Sequence, residues 1–218
     1  MFLKGIEIKK APIFITLFLT LFLFVAQSFG ATFSKPEFRL KELYHYELRR
    51  TNHKLYTNRF SLSVNYLNTK KITLFKITPF FELRRNIHKG LWERKEAGVE
   101  IDKDIFPWLY VGEAIQRGWM KEDYRYYGDY ESRDYTESET RLCFAHNLIS
   151  NKHIQLRGFI LNEYTYDFDR GAGTRNEVAV GFVLPLNRHI ETEINWRHID
   201  RVHYYDSDTF EGALTLIF

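Results

Sequence analysis

Apolar and polar positions alternate along most of this chain. In residues 56–67, Phe60, Leu62, Val64 and Tyr66 alternate with Arg59, Ser61, Ser63 and Asn65. In residues 71–84, Phe75, Ile77, Phe81 and Leu83 alternate with Lys76, Thr78, Glu82 and Arg84. Val178, Val180, Phe182 and Leu184 alternate with Glu177, Ala179 and Gly181, and Ile190, Thr192, Ile194 and Trp196 with Glu191, Glu193, Asn195 and Arg197. A period of two belongs to a strand with one apolar face. Ten such segments, bounded by turn residues, lie near 38–49, 56–67, 71–84, 92–102, 107–117, 139–148, 153–166, 176–185, 189–200 and 209–218.

The links between segments form a second pattern. Those after even segments are short: "NTK" (68–70), "KDIF" (103–106), "ISNK" (149–152) and "LNR" (186–188). Those after odd segments run longer, up to the tyrosine-rich, acidic stretch 118–138. Short turns on one rim and long loops on the other, with an even strand count, describe a closed antiparallel up-and-down transmembrane β-barrel. Ten strands are predicted, with eight or twelve as alternatives. The last segment, "EGALTLIF", would close the sheet on the first, because an open edge in lipid leaves backbone groups unsatisfied. Phe218 would then sit at the membrane boundary, where aromatic rings concentrate.

The N-terminus fixes the compartment expected. Lys4, Lys9 and Lys10 precede an almost unbroken apolar run over residues 11–26, and Ser28 and Gly30 follow at signal-peptidase spacing. Residues 1–30 are therefore read as a cleaved signal peptide, 31–37 as a short N-terminal segment and 38–218 as the barrel domain. Beyond residue 30 there is no apolar run of the ~18 residues that a transmembrane helix needs. The 218 residues include 31 Lys+Arg and 28 Asp+Glu. Residues 1–30 hold Lys4, Lys9, Lys10 and Glu7, so the remainder is nearly neutral and carries no basic footprint for nucleic acid. The single cysteine, Cys143, excludes an internal disulfide and a cysteine metal cluster.

With its signal peptide, alternating strands and terminal "LTLIF", the chain resembles bacterial outer-membrane β-barrel proteins. The resemblance implies an outer-membrane location, contact with outer-membrane lipid and lipopolysaccharide, and a Phe218-bearing signal read by the barrel-assembly machinery. The second half, with "ETRLCFAHNL", "LRGFILNEYTYDFD" and "GTRNEVAVGFVLPLN", is similar to the domain-of-unknown-function 2490 barrels. Neither resemblance implies a catalytic motif or a cofactor, and a monomer is expected.

Candidate chemistry lies on the inward positions. Arg59, Glu82, Arg84, Glu100, Glu113, Arg117, Arg141, Arg157, Glu163, Glu177, Glu191, Glu193, Arg197 and Glu211 carry charges of both signs. A ten-stranded bore is little wider than its side chains. Mutual pairing of these charges in a side-chain-filled lumen, with a structural or interaction role, is the principal expectation. A small selective channel is one alternative. A barrel hydrolase acting on lipid or peptide is another: a hairpin centred near residues 52–53 would set His45 beside Ser61 and Ser63, the contact a nucleophilic serine needs. His198, Asp200, His203, Asp206 and Asp208 could serve a rim protease, and a soluble periplasmic β-barrel binder is the third class. No metal-ligand spacing stands out; "DSDTFE" (206–211) lacks the glycine of a calcium loop.

Overall fold

A computed structural model describes residues 32–48, 54–68, 70–87, 90–120, 133–151, 154–202 and 206–218. The segment read as a signal peptide and the centre of the tyrosine-rich stretch lie outside the described residues. The strands are β1 (Thr32–Phe33), β2 (Glu37–Glu47), β3 (Lys54–Leu67), β4 (Thr73–Asn86), β5 (Leu91–Phe106), β6 (Leu109–Met120), β7 (Arg133–Ser150), β8 (Gln155–Asp167), β9 (Ala172–Asn187), β10 (Ile190–Arg201) and β11 (Ser207–Ile217).

Strands β2 to β11 each pair antiparallel with their sequence neighbours, and β11 pairs with β2. The result is a closed, ten-stranded up-and-down barrel. Closure leaves no free sheet edge, which is what a strand structure in lipid requires. The two-residue β1 extends the line of β2 against the end of β3, pairing Thr32 with Leu67 and Phe33 with Tyr66. At the seam, Phe218 N donates to Phe38 O at 2.9 Å, and the two rings lie 5.8 Å apart.

The alternation sorts side chains across the wall. Outward positions carry large apolar groups that stay exposed, from Phe60 at 38 % to Ile194 at 63 %, with Leu62, Ile101, Ile160, Val180, Phe182 and Leu214 between them. An apolar surface on every side of the barrel does not suit a water-soluble binder; it suits lipid. Aromatic rings gather at the strand ends, as at a membrane–water boundary. Tyr66 stacks on Phe75 at 4.6 Å and Trp108 on Phe106 at 5.2 Å at one end. Tyr166 meets Phe168 at 5.4 Å at the other.

Two expectations about the strands need correction. The 118–138 loop is shorter than read, because Gly118 pairs with Tyr135 and Met120 with Arg133. Its alternating "RDYTESETR" continues β7 upward, leaving a link of residues 121–132. This link makes one rim the long-link end. The opposite, short-turn end carries the links 107–108 and 188–189, only two residues each. The phase of β6 also differs from the expected one. Gly112, Ala114 and Gln116 face inward and are buried, whereas Glu113 and Arg117 are exposed on the outer face. There Glu113 accepts from Thr140 Oγ1 at 2.6 Å and Arg117 pairs with Asp134 at 3.6 Å. Uncharged residues, among them the small Gly112 and Ala114, hold the inward places of this strand, so the charges mark its outer side.

Candidate pore

The lumen is built of two storeys. Towards the long-link end lies a belt of charged side chains from every strand of the barrel but β6, which supplies Gln116. Arg59 of β3 pairs with Glu100 and stands 3.7 Å from Glu82. Glu82 receives Arg94 at 3.0 Å, and Arg94 holds Glu96 at 2.7 Å. Gln116 Nε2 bridges Glu96 (3.4 Å) to Glu139 (2.9 Å). Arg175 links Glu139 (3.1 Å) to Glu177 (2.6 Å). Arg197 joins Glu177 to Glu211 (3.2 Å), and Glu211 meets His45 Nδ1 at 2.6 Å. A branch runs from Glu100 through Arg141 to Glu163 at 3.3 Å. The belt thus runs from β3 around the barrel to β2.

Burial explains why the signs alternate. A charge away from water is costly unless it is paired and hydrogen-bonded. Glu96 is 2 % exposed, Glu211 4 % and Arg94 5 %, and each lies between partners of opposite sign or hydrogen-bond donors.

The short-turn storey is roomier. Its inward positions carry Ser61, Ser63, Gly112, Ala145 and Gly181, with fewer ion pairs. Lys41 meets Glu193 at 2.7 Å and Lys76 meets Asp102 at 2.9 Å. Three lumen rings lie flat along the wall instead of crossing it, because the neighbouring strand carries glycine beneath each. A Cβ on Gly98 would come within 2.8 Å of Phe80, on Gly118 within 2.5 Å of Tyr135, and on Gly181 within 2.8 Å of Phe159. The Arg59 guanidinium stacks 3.9 Å over the Phe80 ring.

Between these walls runs one cavity of about 1160 Å³. Its lining starts at Phe106, Pro107 and Trp108 on the short-turn rim, passes Ser61, Thr78, Cys143 and Arg157, and reaches Thr57, Ile199, Arg201 and Thr209 at the long-link end. The lumen is braced by its charges without being filled by them.

The sequence-predicted residues fall into three groups. Arg59, Glu82, Arg84, Glu163, Glu177, Arg197 and Glu211 come together in the belt, with Arg84 3.6 Å from Glu82. Glu193 pairs with Lys41 below it, while Arg157 and Glu191 line the cavity and join none of the belt pairs. The His45–Ser61–Ser63 grouping does not form. Register places His45 opposite Leu55, Ser61 opposite Arg39 and Ser63 opposite Glu37. Six residues of strand from Leu55 to Ser61 span roughly 20 Å. The β2–β3 turn comes earlier than read, so the serines lie in the short-turn storey, where Ser63 Oγ and Thr78 Oγ1 hydrogen-bond at 3.0 Å. His45 is turned to Glu211. At the rim, His198 pairs with Asp208 at 2.9 Å; His203 lies outside the described residues. Among the described residues, no three His, Cys, Asp or Glu side chains converge as metal ligands.

Four charged belt members, Arg94, Glu96, Glu139 and Arg175, and the bridging Gln116 escaped the sequence reading. A signal was there. "RKEAGVE" (94–100) places Arg94, Glu96 and Glu100 on one face, and "RDYTESETR" (133–141) places Tyr135, Glu137, Glu139 and Arg141 on one face.

No protein-family model matches the chain, and a search of curated proteins finds no relative. Among solved structures, the chain is similar to the KdgM porin in complex with disordered oligogalacturonate: 8 % identity, TM-score 0.43, covering 83 % of this chain and 98 % of that one. It is also similar to the NanC porin, at 11 % identity and TM-score 0.39, covering 82 % and 98 %. With OprB of Pseudomonas putida the TM-score is 0.27 at 8 % identity, covering 89 % and 95 %. These likenesses are distant, and function has to be read from the lumen itself.

Proposed function

We propose that the protein is a small outer-membrane channel for hydrophilic solutes, with its short turns towards the periplasm and its long link outside. The observation that carries this reading is the lumen cavity of about 1160 Å³ whose lining extends from Trp108 to Arg201. The apolar outer face supports membrane insertion, and the export-type N-terminus supports the outer membrane. Small side chains in the short-turn storey and rings laid flat over glycine keep the bore free where a filled lumen would need bulk. Both signs are represented in the belt and largely neutralise each other, so the field along the path is weak and discrimination between cations and anions is expected to be low.

Purified, refolded full chain in planar bilayers tests the proposal. Discrete, steady conductance steps with weak charge selectivity are expected. A heat-modifiable, correctly inserted barrel that passes no current returns the lumen to a bracing role.

A further inference from the structure

The wall of the short-turn storey is divided by chemistry. On β6 to β9 the register sets inward apolar side chains side by side: Tyr110 opposite Cys143, Cys143 opposite Leu161, Ala145 opposite Phe159, and Val183 beside them on β9. All six line the cavity. Tyr110, Ala145, Phe159 and Leu161 are only half-buried and keep surface towards it, whereas Cys143 and Val183 are buried. Across the bore, β2 to β5 bring Lys41, Ser61, Lys76, Thr78 and Asp102 to the same cavity.

One charge borders the apolar patch. Arg157 stands two residues from Phe159 on the same face of β8, between Asn147 of β7 and Val183 of β9. It is exposed to the cavity and, among the described residues, enters no ion pair or hydrogen bond. On the β9 side the next carboxylates along the wall, Glu191 and Glu193, lie two strands away on β10, roughly 10 Å, and Glu193 is held by Lys41 at 2.7 Å. The guanidinium therefore keeps its fork free.

Two physical demands meet at this place. Apolar surface facing water is unfavourable until something covers it, and an unpaired guanidinium offers two parallel donors to a carboxylate. The Phe159 ring lies along the wall over Gly181, where a Cβ would come within 2.8 Å of it. A ring laid flat presents a face on which a second ring stacks offset. Backbone positions 157 and 159 are roughly 7 Å apart, a span that one ring with a short carboxylate arm covers.

We propose that the short-turn storey holds a subsite for aromatic monocarboxylates: Arg157 takes the carboxylate, and Phe159 with Leu161 and Ala145 takes the ring. This rests on the channel reading, because the solute reaches the subsite through the lumen. The belt's field is weak, so the selection comes from these local contacts.

The test uses the full chain refolded in lipid nanodiscs, with phenylacetate as the probe and acetate and 2-phenylethanol as comparators. Binding is followed by saturation-transfer NMR, with the signal of empty nanodiscs subtracted. Phenylacetate is expected to bind more tightly than either comparator. Arg157→Met should weaken it about tenfold or more, Arg157→Lys should restore part of the loss, and Phe159→Ala should weaken it about fivefold. Acetate binding as tightly as phenylacetate, or phenylacetate binding unchanged in Arg157→Met, overturns the proposal. In single-channel recordings, phenylacetate should interrupt the wild-type current, and less often in Arg157→Met. A barrel that conducts steadily but neither binds phenylacetate nor is interrupted by it keeps the channel reading and defeats the subsite. A barrel that passes no current but binds phenylacetate through Arg157 does the reverse.

Discussion

Arg197 in the belt and Arg157 near the short-turn rim both point into the lumen, from β10 and β8, and they are held in different ways. Arg197 is clasped by Glu177 and Glu211. Arg157 is exposed to the cavity and joins none of the belt pairs. Identical chemistry is structural in one storey and a wetted lining in the other. The difference lies in the company each keeps. In the belt, long side chains from all ten strands converge and most are buried, so pairing becomes obligatory. In the other storey small residues leave room for water, which solvates a charge without a partner.

The largest effect should come from breaking the clasp. Arg197→Met strands Glu177 and Glu211 in a buried setting and should cost about 3–5 kcal/mol, read from the urea midpoint of the barrel refolded in lipid vesicles. Arg157→Met should leave that midpoint nearly unchanged. Equal shifts for the two would erase the distinction between the storeys. Next in size is a change in the wall, which serves as a reference outside the lumen: Val180→Arg should cost about 2–4 kcal/mol if that face meets lipid, by the same measurement. A loss no larger than that of Arg157→Met would mean Val180 is not lipid-facing. The Lys41–Glu193 pair sharpens the comparison further. Its side chains are 31 % and 16 % exposed, so Lys41→Met should cost about 1 kcal/mol or less, and a loss matching Arg197→Met would extend the belt into the lower storey. The smallest stability effect belongs to Ser61→Trp, which adds bulk to the roomy storey. The midpoint should hold while single-channel current falls, and a current equal to that of the wild type would show that Ser61 does not border the path.

Much of the architecture was legible because the alternation is strong where outward residues are large and inward ones charged, as in β3, β4 and β10. It misled in β6, where Gly112 and Ala114 hold the inward places and the charged Glu113 and Arg117 hold outward ones. Polarity alone does not report direction when small residues line a bore. The belt was half legible. Arg94 and Glu139 lay near the starts of the segments read at 92–102 and 139–148, and Tyr135 and Glu137 were hidden inside a stretch whose acidity resembled a loop. The His45 grouping failed on register: a turn displaced by a few residues moves a partner along the strand, and no local pattern in "RTNHKL" (50–55) fixes where that hairpin turns. Openness could not be read from charge counts, since it depends on which rings lie flat over which glycines across the ladder.

The β2–β11 seam has a kinetic meaning. Nine of the ten strand pairings join sequence neighbours and are local hairpins, whereas the tenth spans nearly the whole chain, with Glu211 opposite His45. Loop-closure entropy for such a contact is met only at the end, so assembly should be late and slow at this one ladder while the hairpins form early. Until that moment β2 and β11 are two exposed edges able to recruit another chain. The His45–Glu211 contact crosses this seam. The last strand to arrive therefore also completes the charge belt, and a barrel caught before closure would lack both its final ladder and the ion pair that pins it.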